Sequence, residues 1–315
     1  MSRHAAIDIG TNSVRLLVAD IPDSPSRAPR LVPALRRLQI TRLGGGLTPG
    51  GRIRPAAVAR TAGAVAKFVA LAAAEGVATP VLVGTHALRA ARNPGALLSR
   101  MNLPVRVLTG EEEARLGYRG VLAGLGPLRS AARLLVVDIG GGSVELTWGS
   151  RGRIERSLSV PAGAVVLTER FLAHDPPRAR EIAALGEHLA RTFDPSLARR
   201  SARPLRLIGV GGTITTMAAI DQRLFPYDPD RVHGFRLSRR AVDRITADLL
   251  ARTVAGRRRL PGLQPERADI IAAGALVLQY LMARSGVRSM VVSEADLLWG
   301  LVLEARTATR RPANA

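Results

Sequence analysis

Apolar and polar positions along the chain switch between a period of about 2 and a period of about 3.6 residues, and each switch marks a new element. An apolar run through Ala5-Ala6-Ile7-Asp8-Ile9 breaks at Gly10-Thr11-Asn12-Ser13 and resumes in alternating form from Val14. That layout predicts a β-hairpin with a polar tip. It recurs in Leu135-Val136-Val137-Asp138-Ile139, Gly140-Gly141-Gly142-Ser143 and Val144-Glu145-Leu146, with Asp, Ile, Gly, Ser, Val and Leu coinciding at an offset of 130 positions (138 − 8). A duplication of this kind predicts two homologous halves.

After the first hairpin the pattern predicts a Pro/Ser/Arg loop from Pro22 to Arg30, a strand-like stretch to Ile40, a loop at Gly44-Gly45-Gly46, and a helix from about Pro55 to Glu75 closed by Gly76. Strands over Pro80 to Gly84 and Val105 to Leu108 follow, the second running into a helix from Glu111. The second half reads as strands at 133–138, 144–149 and 152–160, helices near 162–173 and 178–191, a strand at 205–209, then a glycine turn and a helix. Residues 238–304 read as three helices and a strand, with an exposed linker run Arg257-Arg258-Arg259, and the tail after Thr307 reads as frayed. The order implies an α/β fold of mixed sheets flanked by helices: a first domain over 1–124, a second over 125–304 and a tail over 305–315.

Composition adds three constraints. With 315 residues, 47% of them hydrophobic, the chain fills two cores built from Ala, Val, Leu and Ile rather than from its scarce aromatics. The net charge of +21 comes almost wholly from arginine, Lys67 being the single lysine, and it points to a polyanion without saying which one. The absence of cysteine removes disulfides, thiolate nucleophiles and Cys-based zinc sites. The N-terminus shows no signal-peptide layout, and the longest uninterrupted apolar stretch, Phe68 to Ala74, is far too short for a span, so a cytoplasmic protein away from membranes is expected.

The candidate chemistry starts at the two hairpin tips. Glycine lets backbone N–H groups approach phosphate oxygens, and at the tips Gly10-Thr11-Asn12-Ser13 and Gly140-Gly141-Gly142-Ser143 successive N–H groups form an anion nest that the Ser and Thr hydroxyls can complete. A ligand-free hairpin turn explains either tip alone; the duplication weighs against it. Asp8 and Asp138 beside a phosphate site call for a divalent ion, and magnesium held through waters fits. A third turn, Gly209-Val210-Gly211-Gly212-Thr213, lies between a strand and a helix and can aim a helix N-terminus at an anion. No Walker A loop or convincing dinucleotide fingerprint occurs. Within Thr109-Gly110-Glu111-Glu112-Glu113, a capping box accounts for Glu112, whereas Glu113, about 100° further round the helix, is the candidate general base. Arg89, in Thr85-His86-Ala87-Leu88-Arg89, follows a strand end, where it can clamp phosphate or simply face solvent, and His233 reads as structural.

These residues resemble a known family, the Ppx/GppA exopolyphosphatase and guanosine-pentaphosphatase phosphatases of the actin/Hsp70/sugar-kinase superfamily. The segments DIGTNS (8–13), GTHALR (84–89), TGEEEARLGY (109–118), DIGGGSVEL (138–146), GVGGT (209–213), VHGFRLS (232–238) and RADIIAAGALVL (267–278) are similar to its landmarks, in order and across nearly the whole chain. The resemblance implies two actin-like (ribonuclease H-like) domains with the active site in the cleft between them. It implies that Glu113 activates the attacking water, that Asp138 and Glu145 act with Mg2+ or Mn2+ and with that water, that 10–13 and 140–143 are phosphate loops, and that Arg89 lies near substrate phosphates. Gly211, Gly212 and Thr213 join the phosphate-binding set, and Asp8 joins Asp138 and Glu145 as a metal candidate. The chain resembles the family's short form, and Ser293-Glu294-Ala295-Asp296-Leu297-Leu298-Trp299-Gly300 departs from its usual Arg-Glu-Gly-ending stretch.

Inorganic polyphosphate is the leading substrate on this reading and guanosine pentaphosphate the alternative; a homodimer is an admissible assembly. A sugar or acetate kinase of the same fold would use the same turns without needing TGEEEARL. A non-enzymatic polyanion binder would account for the charge, although few aromatics are available to stack single-stranded bases.

Overall fold

The computed structural model describes residues 1–22, 31–48, 50–126, 133–197 and 205–309. The chain divides into two compact units, Met1–Leu128 with Ala295–Ala315, and Arg129–Glu294.

In the first unit β1 (Ser2–Ile9) and β2 (Ser13–Ile21) form the expected antiparallel hairpin, and β3 (Val32–Ile40) continues it. Of the loop expected from Pro22 to Arg30, all but Pro22 lies outside the described residues. Helix α1 (Pro55–Ala74) has proline at its start, and Gly76 follows it in the left-handed region. By length and composition it is long and apolar enough to cross a membrane, although Arg60, Thr61, Gly63 and Lys67 interrupt its apolar runs. Its apolar side, with Val58, Val65, Phe68 and Ala72, instead packs into the core with Ile7, Ile9 and Leu16 of the sheet. Strand β4 (Val81–Gly84) runs parallel to β1, followed by α2 (His86–Ala90), α3 (Gly95–Leu98), β5 (Val105–Val107), parallel to β4, and α4 (Gly110–Gly124). The sheet order is β3-β2-β1-β4-β5.

The second unit repeats this order. Its strands are β6 (Leu134–Ile139), β7 (Val144–Ser150), β8 (Arg153–Val160), β9 (Arg206–Val210), β10 (Arg236–Ser238) and β11 (Ser289–Val292). Its helices are α5 (Ala164–Phe171), α6 (Ala179–Leu197), α7 (Gly212–Asp221), α8 (Pro229–Val232), α9 (Arg239–Ala251), α10 (Val254–Arg257) and α11 (Ile271–Ser285). Read from β8, the sheet runs β8-β7-β6-β9-β11, the same antiparallel meander and parallel pair as in the first unit, with β10 added at the edge. Both sheets are therefore mixed and flanked by helices, the actin-like arrangement expected.

Three expectations change. The second half does not keep residues 295–304: from Ala295 the chain belongs to the first unit, where α12 (Leu297–Thr309) packs along α4 and β1. Leu298, Trp299, Leu301 and Val302 bury against Ala6, Leu17 and Leu116, a long-range pairing that no local period announces. The tail expected from 305 is helical through Thr309, and the rest of it lies outside the described residues. The third change is in the arginine run. Arg258 and Arg259 are exposed, but Arg257 is buried, its Nε donating to the Leu249 carbonyl at 2.6 Å and its Nη1 to that of Ala268 at 3.3 Å.

Candidate active site

In the first unit β1, β4 and β5 run parallel and end at one edge of the sheet, where open α/β folds bind ligands. The β1–β2 tip, the Thr85–Arg89 segment and the start of α4 all emerge there, tied by Thr85 N–H to the Ile9 carbonyl (3.3 Å) and Leu108 N–H to that of Gly84 (2.9 Å).

The tip is closed by Gly10 N–H donating to the Ser13 carbonyl at 3.0 Å. The Thr11 carbonyl accepts from Gly44 N–H (2.9 Å), and that of Asn12 accepts from Thr41 (3.0 Å) and Arg42 (2.8 Å). In a planar trans peptide the C=O and the following N–H point oppositely, so the amides of Asn12 and Ser13 are turned away from that loop. Thr11 and Asn12 are buried, and Thr11 Oγ1, Asn12 Nδ2 and Asp8 Oδ1 find no hydrogen-bond partner among the described residues. Each such orphan costs about 1–3 kcal/mol, and three at one hairpin end make it a candidate ligand site.

Asp8 faces Arg15 across the hairpin, and its Oδ2 accepts from Arg15 Nη2 at 2.7 Å and Nε at 3.0 Å. Arg15 Nη1 also pairs with Asp296, which sits in the segment that departs from the family pattern. Burial pushes the Asp8 carboxyl above the usual carboxylate range, against the opposing pull of Arg15.

Helix α4 opens with the expected capping box: Glu112 N–H donates to Thr109 Oγ1 (3.2 Å), and Thr109 N–H donates to Glu112 Oε2 (2.8 Å). The Thr109 amide holds the Glu112 carboxyl below its ordinary range. Glu113, one position on, is free of that role and meets Arg89, whose Nη1 lies 3.2 Å from Glu113 Oε2 and donates to the Leu108 carbonyl at 2.6 Å. The candidate base and the candidate phosphate arginine are thus held together. Burial, then Arg89, lowers the neighbouring His86 to about 4.

In the second unit the Gly140–Ser143 tip is more fully organised. The carbonyls of Gly140, Gly141 and Gly142 accept from the amides of Ala164 (2.9 Å), Val165 (2.8 Å) and Gly163 (3.2 Å). The same peptide geometry turns three successive N–H groups, of Gly141, Gly142 and Ser143, to the opposite side as an anion nest. A side chain at Gly163 would sit 2.4 Å from the Gly141 carbonyl carbon, so glycine is what allows α5 to approach.

Asp138 and Glu145 are direct cross-strand partners, where the first unit has Asp8 and Arg15, so two carboxylates share one face of the sheet. Glu145 is buried, and its Oε1 accepts from Ser159 Oγ at 2.7 Å. No cluster of three or more His, Cys, Asp or Glu side chains suited to a metal occurs among the described residues. Two carboxylates completed by water suit magnesium, which keeps most of its hydration shell. Asp8, in the first unit, has Oδ2 committed to Arg15 and Oδ1 without a hydrogen-bond partner among the described residues.

The third turn abuts this pair. Gly211 has φ +88°, and a Cβ there would fall 2.3 Å from Asp138 Oδ1. Arg267 crowds Gly212, and Gly274 leaves room for Thr213, so the 267–278 motif buttresses the Gly211–Thr213 turn. Spacing alone gave no reason to include Arg267 in the site. Its signal was tertiary: the guanidinium, anchored by Nε to Gln264 Oε1 at 2.7 Å, sits at the start of α7. His233 Nδ1 accepts from Glu294 N–H at 3.1 Å, a contact of the structural kind expected of it.

A family model described as the Ppx/GppA phosphatase family matches residues 24–306. Exopolyphosphatase 2 of Mycobacterium tuberculosis is 34% identical over 96% of this chain and 98% of its own. The crystal structure of the Aquifex aeolicus Ppx/GppA family member superposes with a TM-score of 0.81 at 30% identity, over 98% of this chain and 99% of that one. An exopolyphosphatase from Cytophaga hutchinsonii superposes with a TM-score of 0.85 at 27% identity, over 98% of each chain.

Proposed function

Because the chain belongs to the Ppx/GppA phosphatase family, we propose that it is an exopolyphosphatase that hydrolyses the terminal phosphate of inorganic polyphosphate. The observation that carries the reading is the pair of anion cradles, one lined by the orphaned Thr11 and Asn12 donors and one by the three outward amides of 141–143. An exposed end of a phosphate chain supplies the acceptor oxygens that such donors lack.

Glu113 takes a proton from a water molecule, whose oxygen attacks the terminal phosphorus while the bond to the bridging oxygen breaks. The products are inorganic phosphate and a chain one unit shorter. Arg89 orients the Glu113 carboxylate and faces the charge that grows on the terminal oxygens. The outward amides of Asn12 and Ser13, in the same unit as Glu113, hold the phosphoryl group in line for attack. Asp138 and Glu145 would hold magnesium or manganese through water, and the ion, when bound, neutralises phosphate charge.

Phosphate release from polyphosphates of defined length and from guanosine pentaphosphate, side by side, tests the reading. Release from polyphosphate, lost with EDTA and restored by magnesium, is expected. Release from guanosine pentaphosphate alone would move the substrate to the nucleotide, and ADP formation from ATP and a sugar would make the protein a kinase.

A further inference from the structure

Between Asp23 and Glu111 the sequence holds one acid, Glu75, against twelve arginines and Lys67. Part of that excess is gathered beside the Thr11–Asn12 tip. The 41–54 loop is anchored to the tip through Thr41, Arg42 and Gly44, and a Cβ on Gly44 would be 2.4 Å from Thr11 Cγ2 and 3.4 Å from Ala87 Cβ. Its far end is clamped to the segment after α2. Arg92 N–H donates to the Gly51 carbonyl at 2.9 Å, and Asn93 takes both backbone groups of Ile53, accepting from its N–H at 2.7 Å and donating to its carbonyl at 3.2 Å.

Two exposed guanidinium groups then lie against this loop. A Cβ at Gly46 would be 2.1 Å from Arg54 Nη2, and one at Gly50 would be 3.2 Å from Arg92 Nε. Both glycines have positive φ, +71° and +65°, so the loop is shaped to bring its bare backbone under the two side chains. Neither Arg54 nor Arg92, nor the nearby exposed Arg52, has an acidic partner among the described residues. Unpaired arginines set on an anchored loop keep their charge for a ligand and lose little freedom on binding it.

We propose that Arg54 and Arg92, assisted by Arg42 and Arg52, form a second anion subsite that holds phosphates of a linear polyphosphate beyond those at the Thr11–Asn12 tip. The inference rests on the exopolyphosphatase reading and adds a length requirement to it: chains too short to reach these arginines bind less tightly. Segments 41–54 and 85–93 carry no Phe, Tyr or Trp, so nucleic acid bases find nothing there to stack on.

The test is equilibrium binding of end-labelled long-chain polyphosphate to the full chain and to the double variant Arg54→Gln/Arg92→Gln. Arg258→Gln/Arg259→Gln, which removes two exposed charges in the second unit, is the control. The subsite predicts a dissociation constant raised about tenfold or more in the first variant and a log–log salt dependence shallower by about 1 to 2, with the control nearly unchanged. Equal weakening in both variants, or in neither, overturns the proposal, as does a single-stranded oligonucleotide that binds as tightly through the same two arginines. Because the readout is binding, a chain that holds polyphosphate through this pair yet releases no phosphate keeps the subsite and rejects the hydrolase. Release of phosphate with an unchanged dissociation constant in the variant does the reverse.

Discussion

The candidate site is written in residues whose individual stability cost is visible. Thr11 Oγ1 and Asn12 Nδ2 are buried donors without partners among the described residues, which folding alone does not favour. Replacing Thr11 by the nearly isosteric valine removes one orphan, so Thr11→Val is expected to raise unfolding free energy by about 1 kcal/mol while raising KM for substrate. Chemical denaturation and steady-state kinetics on one preparation check both; a variant that is less stable with unchanged KM would mean the hydroxyl serves the fold. At this scale the sequence was legible where chemistry and spacing agree. The capping box singled out Glu112 and left Glu113 outside it, and the hydrogen bonds follow that division: Glu112 pairs with Thr109, and Glu113 pairs with Arg89. It was illegible for Arg257, whose burial depends on carbonyls of Leu249 and Ala268 that only the tertiary fold delivers.

At the scale of elements, the glycine turns do more than permit close approach to a ligand. They let neighbouring elements dock, as α5 docks on the Gly140–Gly142 carbonyls and the Gly211 turn docks on Asp138. Gly211→Ala forces a side chain into a backbone conformation favouring glycine and into the Asp138 carboxylate, and a loss of about 2–4 kcal/mol is expected, read as a fall in the urea midpoint. An unchanged midpoint would contradict the close packing described. The strands and long helices were readable from periodicity because each is long enough to show its period and buries one side. The three-residue strand β10 was not, since so short a run carries no period and is fixed by pairing with β11.

For the molecule as a whole, the duplicated hairpin signalled a duplicated domain, and the two sheets share the order of their five common strands. What the repeat could not signal is that the chain crosses back. Helix α12 completes the first core with Leu301 and Val302, although the whole second unit precedes it in sequence. A chain ending at Glu294 is therefore expected to lose the cooperative folding of the first unit while Arg129–Glu294 still melts as a unit, which calorimetry resolves as one lost transition. Two intact transitions would show that α12 is dispensable. The divergent 293–300 segment takes its meaning from this return, since Asp296 joins Arg15 and Asp8 in the first unit.

The account's central claim is the proposal that Glu113 activates water for attack on the terminal phosphate of a polyphosphate chain. Its most direct test is kcat for phosphate release from long-chain polyphosphate by the wild-type chain and by Glu113→Gln, with substrate binding measured alongside. The account predicts a kcat lower by about 10²- to 10⁴-fold with binding retained. Turnover by Glu113→Gln at the wild-type rate would contradict it.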